Sequence, residues 1–235
     1  MKQSTKTLVK SITVLSVIAL VCVAILSLAN VFLKTETTLD KATVKFLNEK
    51  FVTTEQTATG VDSETAYNED YFVMLTDSEL SVATGYTYKS FKSNSNNYVG
   101  AIYYAQKGAN EGTYYIESVS VGYQNPIVVV VSFKIVNDDF EIENVVVKEQ
   151  REDFGDRTTQ VLNAETFKKF VTLVKEGKNQ TVTDKEIIAA TGATTKKSVA
   201  GLNRAVTRAI ETMNKIYSQS EAIKTEINKR GGQNE

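Results

Sequence analysis

At 235 residues the chain is long enough for one domain of ordinary size plus an anchor, given about 100 to 200 residues per domain. Its 27 basic and 28 acidic residues leave a net charge of -1, without the basic field that nucleic-acid binders use. With no histidine, no tryptophan and Cys22 as the single cysteine, the chain alone supports no iron–sulfur cluster, histidine-held haem, Cys/His zinc site, histidine-based triad or internal disulfide.

Residues 1–10 carry Lys2, Lys6 and Lys10 and read as a cytoplasmic basic N-terminus. Residues 11–33 have no charged side chain and are rich in Val, Ile, Leu and Ala, long enough to cross a bilayer as one helix. A permanent single-pass anchor is expected, with the rest of the chain extracytoplasmic. A cleavable leader ending at Ser27-Leu28-Ala29 is the alternative. Cys22 lies within the apolar run as a packing residue.

Residues 34–70 form a connection. Leu39, Ala42, Phe46, Leu47 and Phe51 recur at helical spacing, and the polar stretch from Thr53 to Asp70 reads as a linker. A domain over 71–217 follows. Strands are expected at Tyr71 to Leu75 and Tyr86 to Phe91, before a Ser/Asn loop from Ser93 to Asn97. Stronger strands follow at Tyr114 to Val121, Ile127 to Val136 and Phe140 to Val147, with Asn137-Asp138-Asp139 as a tight turn. Ala164 to Glu176 reads as a helix with Phe167, Phe170, Val171 and Val174 on one face and Gly177 ending it. Strands in a block followed by helices predict an α+β domain with a mostly antiparallel sheet and packed helices. Residues 218–235 read as a polar tail that prolongs the last helix.

The run Thr191-Gly192-Ala193-Thr194 precedes an amphipathic helix that starts near Thr195 and repeats Val199, Leu202, Val206, Ala209, Ile210, Met213, Ile216 and Tyr217 on one face. Small residues at 192 and 193 let another molecule approach the backbone, leaving Thr194 with an open hydroxyl. A helix N-terminus favours a phosphate, and Lys196 and Lys197 add charge of the right sign. The competing reading of the run is ordinary capping, a glycine bend and a threonine cap.

The N-terminal span, the strand hairpin and the late Thr191-Gly192-Ala193-Thr194 together resemble the FMN-binding domain family, which includes the G subunit of Rnf-type electron transport complexes and the C subunit of the sodium-translocating NADH:quinone reductase. Gly122-Tyr123-Gln124-Asn125-Pro126-Ile127 resembles the family's Gly-Tyr-x-x-Pro-Ile entrance to its central hairpin, and Pro126 is the only proline. Glu152, with Gly155 nearby, stands where the family has a Glu-Thr-Pro-Gly-like segment. The resemblance implies FMN bound covalently through its phosphate to Thr194 by a flavin transferase, with Thr191, Gly192, Ala193, Lys196, Glu152 and Tyr123 in the cofactor site. Phe154 is a further aromatic for the ring. The chain departs from the family at Ile188, in place of an aspartate, after the motif, where Lys196 and Lys197 stand in place of the usual threonine and serine and the serine is delayed to Ser198, at Gln124 and Asn125, in place of glycines, and at Asp153 and Phe154, in place of threonine and proline.

The expected function is a membrane-anchored flavoprotein subunit that passes electrons within a redox-driven ion-translocating complex, its partners being other membrane subunits. Two alternatives keep the same fold: a flavin-free module for assembly or interaction at the membrane surface, and an extracytoplasmic electron carrier working outside any translocase.

Overall fold

The computed structural model describes residues 39, 41–51, 72–107, 110–152, 160–177 and 180–231, and Ser16. The anchor expected over 11–33 and the linker from Thr53 to Asp70 therefore lie outside the described residues, Ser16 excepted. Among the described residues no helix is long and apolar enough to cross a membrane.

The expected α+β class is observed. Five antiparallel strands lie in chain order as a meander: β1 (Phe72–Met74), β2 (Asn97–Ala105), β3 (Tyr114–Val121), β4 (Pro126–Val136) and β5 (Asp139–Glu149). Six helices accompany them among the described residues: α1 (Lys41–Phe51), α2 (Asp77–Thr84), α3 (Ala164–Glu176), α4 (Asp184–Thr191), α5 (Lys196–Tyr217) and α6 (Ser220–Gly231).

The sheet is covered on both faces. The valine run of β4 shows why its sequence is continuously apolar rather than alternating: Val129 and Val131 enter the main core while Val130, between them, joins a second cluster on the opposite face. Helix α5 supplies Val199, Leu202, Val206, Ala209, Ile210, Met213 and Ile216 to the main core, as its spacing predicts. Val44 and Leu47 of α1 cover the other face, where the Phe51 ring meets Tyr115 at 5.0 Å between centroids.

The β4–β5 turn needs no glycine. Asn137 and Asp138 both adopt positive φ, 50° and 60°, between the paired residues Val136 and Asp139, and these two residue types tolerate the left-handed region better than other side chains. Pro126 is the first residue of β4, paired with Val121, where its missing N–H is tolerated. Strand β4 is interior, lying between β3 and β5.

Several expectations need correction. Tyr86 to Phe91 is no strand; Tyr88–Phe91 is a short 3-10 helix. The Tyr88 hydroxyl donates to Leu75 O at 2.8 Å and accepts from Ile102 N at 3.0 Å, so this segment plugs the β1–β2 junction instead of pairing with it. Strand β2 escapes period-two reading because its register shifts between Val99 and Ala101, at Gly100. The described stretch after Tyr217, which ends at residue 231, does not prolong α5. It turns at Ser218 and Gln219 into α6, which buries Ile223 and Ile227 in the main core.

Candidate functional site

Helix α4 is started by a capping box between Thr183 and Glu186 and is ended by the run singled out in the sequence. Gly192 takes φ +73° as its C-cap, its N–H reaching Ile188 O at 2.9 Å, a conformation that favours glycine. The Thr191 hydroxyl donates to Ile187 O at 2.6 Å and accepts from Ala193 N at 3.2 Å. Ala193 points into the main core at 1% exposure. Thr191 and Ala193 are thus consumed by the helix-to-helix connection, and Thr194 is the threonine of the run that stands exposed.

Helix α5 begins directly after it. Thr195 is the N-cap residue, yet its side chain makes no cap hydrogen bond and donates instead to Gln160 Oε1 at 2.8 Å. The first turn of α5 therefore receives no side-chain oxygen from its own cap. Lys196 is exposed, with its N–H bonded to Thr194 O at 3.0 Å. Lys197, one turn on from Thr194, carries its ammonium 5.1 Å from the centroid of the Tyr123 ring.

Tyr123 belongs to the β3–β4 turn, closed by Gly122 N–H to Asn125 O at 2.9 Å, and is 47% exposed. Glu152 underlies that turn. Its carboxylate accepts from the backbone N–H groups of Tyr123 at 3.0 and 3.1 Å, Gln124 at 3.2 Å and Asn125 at 3.3 Å, and from Ser198 Oγ at 2.8 Å. Burial pushes the Glu152 carboxyl pKa up, but the Ser198 hydroxyl and the three N–H donors together outweigh it and hold the group below its ordinary 4.5. Glu152 is therefore a carboxylate at neutral pH, buried with its acceptor sites directed at the protein's own donors.

The network extends further. Gln160 Nε2 lies 3.5 Å from Ser198 Oγ, so Gln160 joins Ser198 to Thr195, and both Gln160 and Ser198 are fully buried. Two glycines bring the backbones together: a Cβ on Gly201 would lie 2.6 Å from Val121 O, and one on Gly122 would lie 2.6 Å from Glu152 Oε1. Arg204 fastens the same junction, donating from Nε to Ser120 Oγ at 3.2 Å and from Nη2 to Val121 O at 2.8 Å.

The structure thus gathers most of the residues singled out in the sequence, Thr194, Lys196, Glu152 and Tyr123 with the Gly192 turn, around the start of α5. It gives Glu152 a clamping position rather than an open one. Phe154 lies outside the described residues. Gln160 and Arg204 complete the arrangement without any sequence signal, together with Ser198, which the sequence offers only as the displaced serine after the motif and whose partner Glu152 is 46 positions away. Ile188, where the family has an aspartate, packs partly buried against the main core. No family model, curated protein or solved structure matches this chain, so the family resemblance rests on the quoted residues alone.

Proposed function

We propose that this chain is a membrane-anchored, extracytoplasmic flavoprotein subunit that carries FMN as a phosphoester of Thr194 and relays electrons within an Rnf- or Nqr-type ion-translocating oxidoreductase. The observation that carries this reading is the exposure of Thr194 at the mouth of α5, whose first turn has no side-chain cap and bears Lys196 and Lys197.

These residues fit the phosphate end of the cofactor. The Thr194 hydroxyl is open to a flavin transferase. The helix N-terminus and the two lysines offset the negative charge of a phosphodiester there. FMN, when bound, supplies the redox chemistry, and the protein holds it in place and sets its surroundings. The chain brings no histidine or reactive thiol to the site, which suits a relay better than a complete enzyme. Its partners on this reading are other membrane subunits of the complex.

A second reading has its own support. Thr191, Gly192 and Ala193 are accounted for by the α4–α5 connection, and Glu152 by the β3–β4 turn, an arrangement that also suits a flavin-free interaction module. In-gel flavin fluorescence of the denatured chain, isolated from its native membrane or co-expressed with its host's flavin transferase, separates the two. A fluorescent band that disappears in Thr194→Val is the expected result. A dark wild-type band, with a known transferase substrate labelled in parallel, establishes the module instead.

A further inference from the structure

The chain is nearly neutral as a whole, but its charge is unevenly spread. Residues 80–110 contain no aspartate or glutamate, and helix α5 sets Lys196, Lys197, Arg204, Arg208 and Lys215 against a single acid, Glu211. The fold brings these two stretches side by side. The Lys215 ammonium lies 5.6 Å from the centroids of both the Tyr86 and the Phe91 rings, which seats the C-terminal half of α5 against the 3-10 helix that bears Lys89 and leads into Lys92. Arg204, Arg208 and Lys215, at spacings of four and seven, share one side of α5. Two carboxylates meet this group of cations. Glu211 Oε2 lies 3.1 Å from Arg208 Nη1, and Asp77 Oδ1 accepts from Tyr88 N–H at 2.7 Å. Among the described residues, Arg204, Lys215, Lys89 and Lys92 have no carboxylate within ion-pair distance. The rings fix Lys215 in place without neutralising it.

A one-signed patch on an otherwise balanced surface steers and registers a partner of the opposite sign. We propose that this side of α5, with the adjoining 3-10 segment, is a docking face for an extended acidic segment of a partner protein. The spacing of the cations fits that occupant. Arg204 and Arg208 are about 6 Å apart along the helix axis, and alternate side chains of an extended chain are about 6.6 Å apart. The row from Arg204 to Lys215 runs about 16 Å, the span of about five extended residues. A lone phosphate engages cations that converge on one point, whereas these are strung along a helix. A lipid surface is gripped by apolar side chains that enter it as well as by charge. Here the aromatic rings lie beneath Lys215, Phe91 buried and Tyr86 partly so. The face is independent of whatever Thr194 carries.

The test titrates fluorescein-labelled hexaglutamate against the full chain, held in a non-ionic amphipol at low salt, and reads fluorescence anisotropy. Wild type is expected to bind, with affinity that falls as salt is raised. Exposed lysines are changed so that the fold is kept: Lys92→Gln with Lys215→Gln should weaken binding at least about tenfold, while the charge-matched pair Lys168→Gln with Lys175→Gln on α3 should leave it within about twofold. Failure of wild type to bind hexaglutamate at low salt overturns the proposal. Equal losses in the two pairs overturn it too, since net charge alone would then govern binding. Flotation with phosphatidylglycerol vesicles that is lost in the Lys92/Lys215 pair, with hexaglutamate ignored, assigns the face to a lipid surface instead.

Discussion

Ser198 Oγ donates to Glu152 Oε2 at 2.8 Å, joining the first turn of α5 to a residue just beyond β5. Both partners are buried, and the bond is to a charged acceptor. Hydrogen bonds of that kind contribute about 1.5–3 kcal/mol. Ser198→Ala is expected to lower stability by about that amount. Glu152→Ala costs more, because it leaves the N–H groups of Tyr123, Gln124 and Asn125 without their acceptor as well. Urea unfolding followed by tyrosine fluorescence, the chain having no tryptophan, measures both. The double variant should cost less than the sum of the singles, as for residues sharing one network. Additive effects would show that the two side chains are not coupled.

The same carboxylate gives the fold an acid sensitivity with a definite sign. Its pKa in the folded protein lies below the ordinary 4.5, so the folded state favours the charged form and the unfolded state takes up the proton first. The stabilisation is fully present above pH 4.5 and is lost as pH falls through the lower, folded value. Thermal midpoints measured from neutral pH downward should fall more steeply below that point in wild type than in Glu152→Gln, and the two curves should converge. Parallel curves would mean that other carboxylates govern the acid limb.

The regular parts of this fold were legible in its sequence because each is fixed by local pattern. The apolar face of α5, the valine run of β4 and the Asn137-Asp138 turn are set by periodicity and turn chemistry alone. Helices α2 and α4 were not read, because the segments are short and weakly amphipathic, although Thr76 with Glu79, and Thr183 with Glu186, form capping boxes at their starts. Strand β2 was not legible either, since Gly100 sits where a Cβ would lie 2.8 Å from Glu117 Oε1, a cross-strand fact with no local trace. The exposure of Thr194 follows from a motif, whereas the clamping position of Glu152 depends on contacts with residues 27 to 46 positions away. Long-range polar networks of this sort have no periodicity to read.

Gly201 and Gly192 should respond differently to alanine. At Gly201 a methyl group would meet Val121 O at 2.6 Å and Gly122 Cα at 2.7 Å, backbone atoms of a strand end that Arg204 and Glu152 hold in place. Overpacking of this kind costs about 1–3 kcal/mol, against a helix-propensity gain of about 1 kcal/mol. With no flexible side chain to yield, the upper end applies, and a net loss of about 2 kcal/mol is expected. At Gly192 nothing lies within 4 Å, so the cost is the left-handed backbone alone, about 1 kcal/mol, and Gly192→Asn should be milder still. Equal losses at the two positions, or a gain at Gly201, would contradict the close approach of α5 to the β3–β4 turn.

Helix α6 provides the sharpest check on the C-terminal part of the fold, because a polar tail and a docked helix respond oppositely to truncation of their apolar residues. Ile223 is fully buried and Ile227 nearly so, while Arg230 reaches back to Glu79 on α2, with Nε 3.2 Å from Oε1. Removing most of a buried isoleucine side chain costs about 2–5 kcal/mol, the transfer energy of the lost methyl and methylene groups plus the cavity left behind. Ile223→Ala is therefore expected to lower stability by at least about 2 kcal/mol. Lys224→Ala, which removes an exposed ion pair with Glu221, should change it by no more than about 0.5 kcal/mol. Arg230→Ala falls between these, since Glu79 keeps its capping-box bonds to Thr76 when the guanidinium is removed. Urea midpoints of the three variants decide the matter: an Ile223→Ala midpoint equal to that of Lys224→Ala would show that α6 is not docked on the main core.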